Sequence, residues 1–262
     1  MNGRSGAAVV INVESAQILG AYHLDVAARR LARPGSTFKA FTLMALLESG
    51  KLKPADTFTC RRNLHVGTHN LSCSHPQTGQ PLDAVTALAY SCNDFFATMG
   101  ARLTAQELQA VFEQVGFSRP SNLVPKEAVG SVQLARTDED RQLQAIGEGE
   151  MRVTPLGMLM AYRNIALRGM LITDIGDRPI FAGLEAGTDY GMARLASIKG
   201  MKVAGKTGTA RTDGGHWTNA WFAGYAPADK PQIAIVVFLE KGTGPGDAAP
   251  LAAEIFKAWQ QR

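Results

Sequence analysis

Arg33-Pro34-Gly35-Ser36-Thr37-Phe38-Lys39 is a break in the chain that leads directly into a predicted helix. Pro34 and Gly35 interrupt regular structure, and an apolar run at helical spacing then continues to Gly50. This spacing predicts that Ser36 lies at the helix start, with Lys39 one turn later on the same face. A serine hydroxyl becomes a nucleophile only when a base takes its proton. The positive end of the helix dipole, together with burial, would disfavour the ammonium form of the lysine, so the pair is a candidate nucleophile and base.

Two further motifs strengthen this hypothesis, because a Ser-x-x-Lys pair fixes only two residues and is a weak signal alone. Ser91-Cys92-Asn93 follows a predicted helical segment, and Lys206-Thr207-Gly208-Thr209 follows Val203-Ala204-Gly205. Ser-x-x-Lys, Ser-x-Asn and Lys-Thr-Gly in this order form one catalytic signature. The three motifs together therefore indicate a serine acyl-transfer enzyme.

The three motifs resemble those of the penicillin-binding protein and serine β-lactamase superfamily. Pro34-Gly35-Ser36-Thr37-Phe38-Lys39 and Lys206-Thr207-Gly208-Thr209-Ala210 are similar to the transpeptidase domain of the larger penicillin-binding proteins. The resemblance extends from about Ala7 to the C-terminal helix. It implies a five-stranded antiparallel sheet flanked by helices, an inserted all-helical lobe, and an active site in the cleft between them.

The distribution of predicted strands leads independently to the same α/β (α+β) class. Strands are predicted at both ends of the chain, with helices between them, which indicates one sheet assembled from both termini. The predicted strands are 7–13, 17–22, 201–210, 221–226 and 233–239. We expect a single catalytic domain over residues 1–262, with a sheet subdomain at about 1–35 and 195–262 and a helical lobe at about 50–194.

The helix boundaries between these strands carry clear local signals. Asp83 is a predicted N-cap, and Thr104 with Glu107 forms a capping-box pattern. Thr154-Pro155 predicts another helix start, with proline at the first position, and a helix is expected from Asp247 to Trp259. Residues 51–82 are rich in glycine, proline, histidine and polar residues and are expected to be irregular.

Bulk composition excludes several classes of function. Of the 262 residues, 45% are hydrophobic and 19% charged, and the net charge is only +4, without the dense basic run of a nucleic-acid-binding protein. No apolar stretch reaches the ~20 residues that cross a bilayer. Met1 to Ser5 is a polar lead into a strand and not a signal peptide. If the resemblance holds, the chain is an extracytoplasmic domain, and any membrane attachment is through an anchor missing from this sequence.

Three cysteines, Cys60, Cys73 and Cys92, are an odd number. Cys60 and Cys73 flank a short loop, and we expect a disulfide between them if the protein is exported, with Cys92 reduced. His65, His69 and His75 lie between and just after these two cysteines, so a metal site is conceivable. The favoured interpretation is a polar loop, and we predict no metal ligands and no cofactor.

The resemblance implies a role for each motif residue. Ser36 would attack the substrate carbonyl, Lys39 would be the base, and Ser91 would relay a proton between Lys39, Lys206 and the leaving nitrogen. Asn93 would offer its amide to the acyl side chain. Lys206 would supply positive field for the terminal carboxylate, and Thr207 or Thr209 a hydroxyl. The backbone N–H groups of Ser36 and Thr209 would form the oxyanion hole. Gly208 would leave room for substrate along the strand edge.

Gly147-Glu148-Gly149-Glu150 departs from the family, which often has Gly-Gln-Gly at this place. The favoured interpretation of Glu148 is a solvated loop carboxylate. The alternative is a carboxylate in the cleft that orients a water molecule and hydrolyses the acyl-enzyme.

The function implied is a DD-transpeptidase that acts on D-Ala-D-Ala stem peptides of peptidoglycan and is acylated by β-lactams. A DD-carboxypeptidase and a serine β-lactamase are alternatives among enzymes. A β-lactam sensor that is acylated and stays acylated is the alternative from another class. All of them share the first half-reaction, so the sequence does not separate them.

Overall fold

The structure, a computed structural model, describes residues 3–170 and 178–262. The first two residues of the predicted polar lead, Met1 and Asn2, lie outside this range. The strands of the described chain are β1 (Gly6–Asn12), β2 (Ile18–Tyr22), β3 (His65–Val66), β4 (His69–Asn70), β5 (Ser131–Val132), β6 (Met151–Arg152), β7 (Ala204–Arg211), β8 (Thr218–Ala226) and β9 (Ile233–Leu239). The α-helices are α1 (Leu24–Arg29), α2 (Lys39–Glu48), α3 (Ala84–Ala89), α4 (Asn93–Gly100), α5 (Ala105–Gln114), α6 (Asp138–Ala145), α7 (Pro155–Met170), α8 (Arg178–Asp189) and α9 (Ala249–Gln260).

The main sheet has five strands in the order β2-β1-β9-β8-β7, and all neighbouring pairs are antiparallel. β1 from the N-terminal part therefore lies beside β9 from the C-terminal part. This confirms the predicted sheet assembled from both ends of the chain. β7, which carries Lys-Thr-Gly, is an edge strand, so one of its two edges has no neighbouring strand.

Alternation along the strands divides the apolar core into two layers on opposite faces of the sheet. Val9, Trp221 and Phe238 face the larger layer, which includes residues of α2, α4, α5 and α7. Phe222 and Val237 face the smaller layer, which is covered by α9 through Phe256. Because successive side chains of a strand point to opposite faces, each buried strand contributes to both layers. The sheet is therefore covered on both faces, and its edge β7 is left for the site.

The predicted helix caps are present. The Asp83 side chain accepts a hydrogen bond from the Thr86 N–H at the start of α3. Thr104 and Glu107 form both hydrogen bonds of a capping box at α5. α7 begins at Pro155, as the Thr154-Pro155 signal indicates.

Three helices were not predicted from the sequence. α1 is only six residues long, and α6 lies in a charged stretch that shows little apolar periodicity. α8 contains Gly183 and Gly187, which argue against a helix when read locally. Close packing explains the glycine at position 183, because a Cβ there would lie 2.8 Å from Leu88 Cδ2. This close approach of α8 to α3 depends on tertiary structure and leaves no helical signal in the sequence.

α7 and α8 lie within the range 50–194 that we assigned to the helical lobe, yet both pack against strands of the main sheet. The division of the chain into a sheet subdomain and a helical lobe therefore stays a prediction. No helix within residues 3–170 and 178–262 combines the length and apolarity needed to cross a membrane.

Candidate active site

Ser36 lies in a 3₁₀ turn, Gly35–Phe38, which leads directly into α2 at Lys39. The sequence prediction of a helix start at Ser36 is therefore correct to within one turn. Gly35 has a φ of +53° and donates its N–H to Gly147 O at 2.9 Å. A Cβ at Gly35 would lie 3.0 Å from Thr209 O. Only glycine meets both conditions without strain, and it thereby brings Ser36 close to β7.

Two hydroxyl groups fix the backbone of this turn from the protein interior. Thr37 Oγ1 donates to Pro34 O at 2.6 Å, and the Tyr162 hydroxyl donates to Thr37 O at 2.8 Å. Tyr162 is fully buried on α7. Sequence reasoning missed it, because a tyrosine in an apolar helix carries no sign of the distant carbonyl that it contacts.

Lys39 is fully buried at the first position of α2. Its Nζ donates to Ser91 O at 2.7 Å, to Asn93 Oδ1 at 2.5 Å and to Ser91 Oγ at 3.3 Å. Burial lowers the pKa of Lys39 from 10.5 to about 8, although thiols of the cysteines and Glu148 oppose the shift. A substantial fraction of neutral amine is therefore present at mildly alkaline pH, as a general base requires.

The hydrogen bonds of Lys39 differ from the simplest expectation. The sequence predicted that the Ser36 hydroxyl and the Lys39 amine meet directly. In the described structure the amine bonds to the Ser91-Asn93 turn, and no hydrogen bond of the Ser36 hydroxyl is formed. Catalytic hydrogen bonds often tighten only when substrate is bound, so this geometry is compatible with the assigned pair.

The Ser91-Cys92-Asn93 turn joins α3 to α4. Ser91 has a φ of +56°, a left-handed conformation that is costly for a residue with a side chain. Cys92 is the N-cap of α4, and its Sγ accepts from Phe95 N. The Asn93 amide donates to Leu71 O at 2.8 Å. Ser91 and Asn93 thus project toward Lys39 while Cys92 points into the interior.

Lys206 is buried in β7, and its Nζ donates to Thr207 O at 3.1 Å. Burial lowers the pKa of Lys206 well below its usual value, and the nearby charge of Lys39 adds to the effect. Burial thus disfavours the charged form of both lysines, and repulsion from Lys39 adds to this effect at Lys206. Thr209 Oγ1 accepts from Gly244 N at 2.9 Å, which orients this side chain beside the cleft.

The structure explains the glycine at position 208 differently from our expectation. We predicted that its missing side chain leaves room for substrate. A Cβ at Gly208 would lie 2.8 Å from Pro34 O and 3.1 Å from Thr37 Cγ2. The glycine therefore lets the Ser36 turn approach β7, and the space beside it is filled by protein.

The predicted residues converge on one small pocket of about 130 Å³. It is lined by Ser36, Ser91, Asn93, Thr207 and Thr209, together with Ser74, Met192 and Pro245. Lys39 reaches this wall through its bonds to Ser91 and Asn93. Three motifs far apart in sequence thus place the candidate nucleophile Ser36 and several further hydroxyls in one cleft, with the amine of Lys39 bonded to its wall.

Glu148 lies in the loop between α6 and β6, as we expected, but it is half-buried and not fully solvated. Burial raises the pKa of Glu148 from 4.5 to about 7, against the opposing charges of three arginines. Its Oε1 accepts from Arg211 N at 3.4 Å. Glu148 lines a larger pocket of about 540 Å³, together with Arg33 and Arg211. Arg33 donates from Nε to Gly149 O at 2.9 Å.

The expected disulfide is also wrong, because Cys60, Cys73 and Cys92 are all free thiols. Cys60 Sγ and Cys73 Sγ are 3.7 Å apart, whereas a disulfide requires about 2.05 Å. The polar-loop interpretation suits His65, which is exposed, but not His75, which is buried.

A family model and individual known proteins were compared with this chain, and they agree on one family. Residues 6–174 and 180–259 match the "Penicillin binding protein transpeptidase domain" family. The chain is 29% identical over 275 residues to stage V sporulation protein D of Bacillus subtilis, covering 86% of this chain and 41% of that protein. It is 27% identical over 265 residues to peptidoglycan D,D-transpeptidase PbpA of Mycolicibacterium smegmatis, covering 83% of this chain and 53% of that protein. The chain thus spans about half the length of these curated relatives.

Solved structures share the fold. The crystal structure of Pseudomonas aeruginosa PBP2 in complex with WCK 5153 superposes with a TM-score of 0.87 at 22% identity, covering 98% of this chain and 74% of that one. The D,D-transpeptidase domain of a peptidoglycan glycosyltransferase from Eggerthella lenta gives a TM-score of 0.84 at 23% identity, covering 99% of this chain and 78% of that one. With the family match over nearly the whole chain, the conclusion is that this chain belongs to the penicillin-binding protein transpeptidase domain family.

Proposed function

We propose that this chain is the catalytic domain of a DD-transpeptidase that acts on D-Ala-D-Ala stem peptides of peptidoglycan outside the cytoplasmic membrane. The observation that carries the proposal is the shared pocket of Ser36, Ser91, Asn93, Thr207 and Thr209, with buried Lys39 bonded to its wall. Relatives named peptidoglycan D,D-transpeptidases support the same reaction class.

The acylation step uses the residues of this pocket. Ser36 Oγ forms a bond to the carbonyl carbon of the penultimate D-alanine, and its proton passes to the neutral amine of Lys39. The carbonyl oxygen becomes an oxyanion, which backbone N–H groups of Ser36 and Thr209 stabilise. One such donor is typically worth ~3 kcal/mol. Collapse of the intermediate breaks the C–N bond, and the departing nitrogen receives a proton through the Ser91 hydroxyl.

The acyl-enzyme is then an ester of Ser36. In transpeptidation an amine of a second stem peptide attacks this ester, returns the serine oxygen and closes a new amide bond. The proton of the attacking amine travels back through Ser91 to Lys39 and then to Ser36. A β-lactam follows the first step alone, because its ring nitrogen stays attached after ring opening and blocks the approach of the acceptor.

The terminal carboxylate of the substrate is assigned to β7. Lys206 supplies positive field there when it holds the proton that Ser91 relays, and Thr207 or Thr209 a hydroxyl, while Asn93 offers its amide to the acyl side chain. Because β7 is an edge strand, an extended peptide has a backbone edge to lie against. Gly208 contributes by letting the Ser36 turn approach this strand, which sets the spacing between nucleophile and clamp.

The test is incubation with benzylpenicillin followed over time by intact-mass spectrometry. We expect stoichiometric acylation in a burst and an adduct that persists much longer than its formation. Peptide mapping should place the adduct on Ser36. No adduct, or an adduct on Ser91, would overturn the proposal.

Turnover of the adduct separates the alternatives. A DD-carboxypeptidase would release D-alanine from a stem-peptide substrate without an added amine acceptor. Rapid loss of the penicillin adduct would indicate a β-lactamase, and collapse of that loss in Glu148→Gln would identify Glu148 as the deacylating base. A general base is typically worth 10²–10⁴-fold in rate, so the two outcomes are well separated. A sensor would be acylated but inactive on stem peptides.

A further inference from the structure

Behind the Ser91-Cys92-Asn93 turn lies a group of four side chains that the proposed reaction does not use. Cys60, Cys73, His75 and Cys92 each offer one ligand atom, and these four atoms all lie within 4.8 Å of one another. The residues come from three separate segments: the stretch before β3, the stretch after β4, and the N-cap of α4. We call these four residues the Cys₃His cluster.

Four of the six distances between ligand atoms of the Cys₃His cluster are close to those of a tetrahedral site, and all six are within 4.8 Å. The Sγ atoms of Cys60 and Cys73 are 3.7 Å apart, those of Cys73 and Cys92 are 3.7 Å apart, and those of Cys60 and Cys92 are 3.4 Å apart. Cys60 Sγ lies 3.6 Å from His75 Nε2. In a tetrahedral zinc site, Zn–S bonds of ~2.3 Å and Zn–N bonds of ~2.0–2.1 Å place sulfurs about 3.8 Å apart and sulfur and nitrogen about 3.5 Å apart.

From this geometry we propose that the Cys₃His cluster binds one Zn²⁺ ion as a closed structural site. Thiolate and imidazole ligands select zinc over the oxygen-preferring cations calcium and magnesium. Four protein ligands fill the tetrahedron and leave no position for substrate or water, which is the mark of a structural rather than a catalytic zinc. The low exposure of Cys73, His75 and Cys92, 8%, 2% and 0% respectively, agrees with a closed site.

The groups around the Cys₃His cluster are arranged to support metal ligands. His75 Nδ1 lies 2.8 Å from Pro76 O. An N–H at Nδ1 that donates to this carbonyl leaves the lone pair of Nε2 for the metal. Backbone N–H groups point at each sulfur: Arg62 N at Cys60 Sγ, Asp94 N at Cys73 Sγ and Phe95 N at Cys92 Sγ, at 3.3, 3.5 and 3.4 Å. Such donors stabilise the negative charge that thiolate ligands carry.

The position of Cys92 gives the metal a consequence for catalysis, and this part of the inference rests on the proposed function. Cys92 lies between Ser91 and Asn93, and Ser91 adopts a strained left-handed conformation. A metal bond to Cys92 ties the inner side of this turn to Cys60 and Cys73. Zinc thereby positions Ser91 and Asn93 against Lys39 without contacting the substrate.

The first test measures metal and not activity. Protein purified without chelator should contain about one zinc ion per chain, as measured by elemental mass spectrometry. Reconstitution with Co²⁺ should give the intense visible absorption of cobalt bound tetrahedrally by thiolates. His75→Ala should weaken zinc binding by more than ~100-fold, since groups that only orient ligands already contribute roughly 10–100-fold. His65→Ala, at an exposed histidine ten residues earlier in the chain, is the matched control and should keep its zinc.

The opposite results are equally clear. Zinc-free protein that gives no thiolate–cobalt absorption on titration with Co²⁺ overturns the proposal, as does a protein mass that shows two of the three thiols oxidised to a disulfide. The cobalt spectrum of the wild-type chain decides the matter even if His75→Ala fails to fold.

The second test follows the penicillin adduct before and after removal of zinc with a chelator. We expect acylation at least ~10-fold slower in the zinc-free protein, still on Ser36, with recovery when zinc is restored. Unchanged acylation would reject the positioning role while leaving the zinc site intact. Failure of acylation in both forms would instead count against the proposed function, so the two hypotheses are tested separately.

Discussion

The two sides of the Ser91-Cys92-Asn93 turn differ in what they require of the protein. On the cleft side, Ser91 and Asn93 contact Lys39 and line the same pocket as Ser36. On the inner side, Cys92 meets Cys60, Cys73 and His75 in a group of which all but Cys60 are buried. Acyl transfer needs an accessible nucleophile and an amine that can lose its proton, whereas the inner group needs enclosure and fixed distances. One short turn serves both sides because successive residues point in opposite directions.

The two sides also differ in how they are built. The cleft side comes from motifs whose members are neighbours in sequence, and its lysines acquire lowered pKa values simply by being buried. The inner side comes from residues without any regular spacing. Substitutions on the cleft side should therefore slow or abolish acylation itself. Substitutions at supporting contacts should change the position of the catalytic groups or the stability of the fold.

The largest effect is expected at the nucleophile. Ser36→Ala should abolish covalent labelling by penicillin, because no other hydroxyl of the pocket follows the Gly35 turn into α2, and the fold should survive. Ser118→Ala, at an exposed serine, is the control and should label like the wild type. Labelling that persists in Ser36→Ala would show that the cleft side has been assigned to the wrong residue.

A somewhat smaller loss is expected at Lys39. Arginine keeps the positive charge but does not release its proton, so Lys39→Arg should slow acylation by orders of magnitude. In the wild type the acylation rate constant should rise with pH and level off above a pKa of about 8, because the neutral amine is the active form. Lys53→Arg serves as the control at an exposed site. A flat profile between pH 6 and about 9 would exclude Lys39 as the base.

A paired glycine comparison tests the support of the Ser36 turn. Gly147 and Gly149 have φ values of +80° and +75°, so alanine should cost about 1–2 kcal/mol at either position. A Cβ on Gly147 would lie 1.9 Å from Gly35 O, whereas the nearest atom to one on Gly149 would be Leu143 Cβ at 3.4 Å. Gly147→Ala should therefore lose roughly 1–3 kcal/mol more in denaturant unfolding, and acylation should slow with it. Equal losses in the two variants would mean that the loop does not support the turn.

The smallest effect is expected at Glu148 and concerns stability. The pKa of Glu148 is raised by burial from 4.5 to about 7, so the folded state holds a proton in this window that the unfolded state has lost. Stability should therefore fall as pH rises from 4.5 to about 7, and the full penalty remains above that pH. Because glutamine does not ionise, Glu148→Gln should be the more stable protein near pH 8, by ~2–4 °C in Tm if the gain is about 1 kcal/mol.

The pH dependence of that difference is the decisive part. The advantage of Glu148→Gln should shrink toward pH 4.5, while Glu254→Gln, at an exposed site on α9, should show no such trend. A variant that is less stable than the wild type at every pH would show that the arginine contacts of Glu148 outweigh its burial.

Much of the cleft could be predicted because its signals are local. Pro34-Gly35 before an apolar run predicts the start of a helix, and the spacing of Ser36 and Lys39 follows from helix geometry. Candidate strand segments near both ends of the chain predicted the five strands, and the capping residues Asp83 and Thr104 predicted where helices begin. These features depend on near neighbours in the chain, so the sequence alone contains them.

Only the tertiary structure revealed the contacts between segments that are distant in the sequence. Local sequence does not reveal that a Cβ on Gly208 would meet Pro34, that Tyr162 holds the Ser36 turn, or that the charges of three arginines act on a half-buried Glu148. The same holds for Cys60, Cys73, His75 and Cys92, whose pattern suggested a disulfide and a polar loop. A pKa shift or a tetrahedron of ligand atoms depends on burial and on distances in space, and residue spacing along the chain specifies neither.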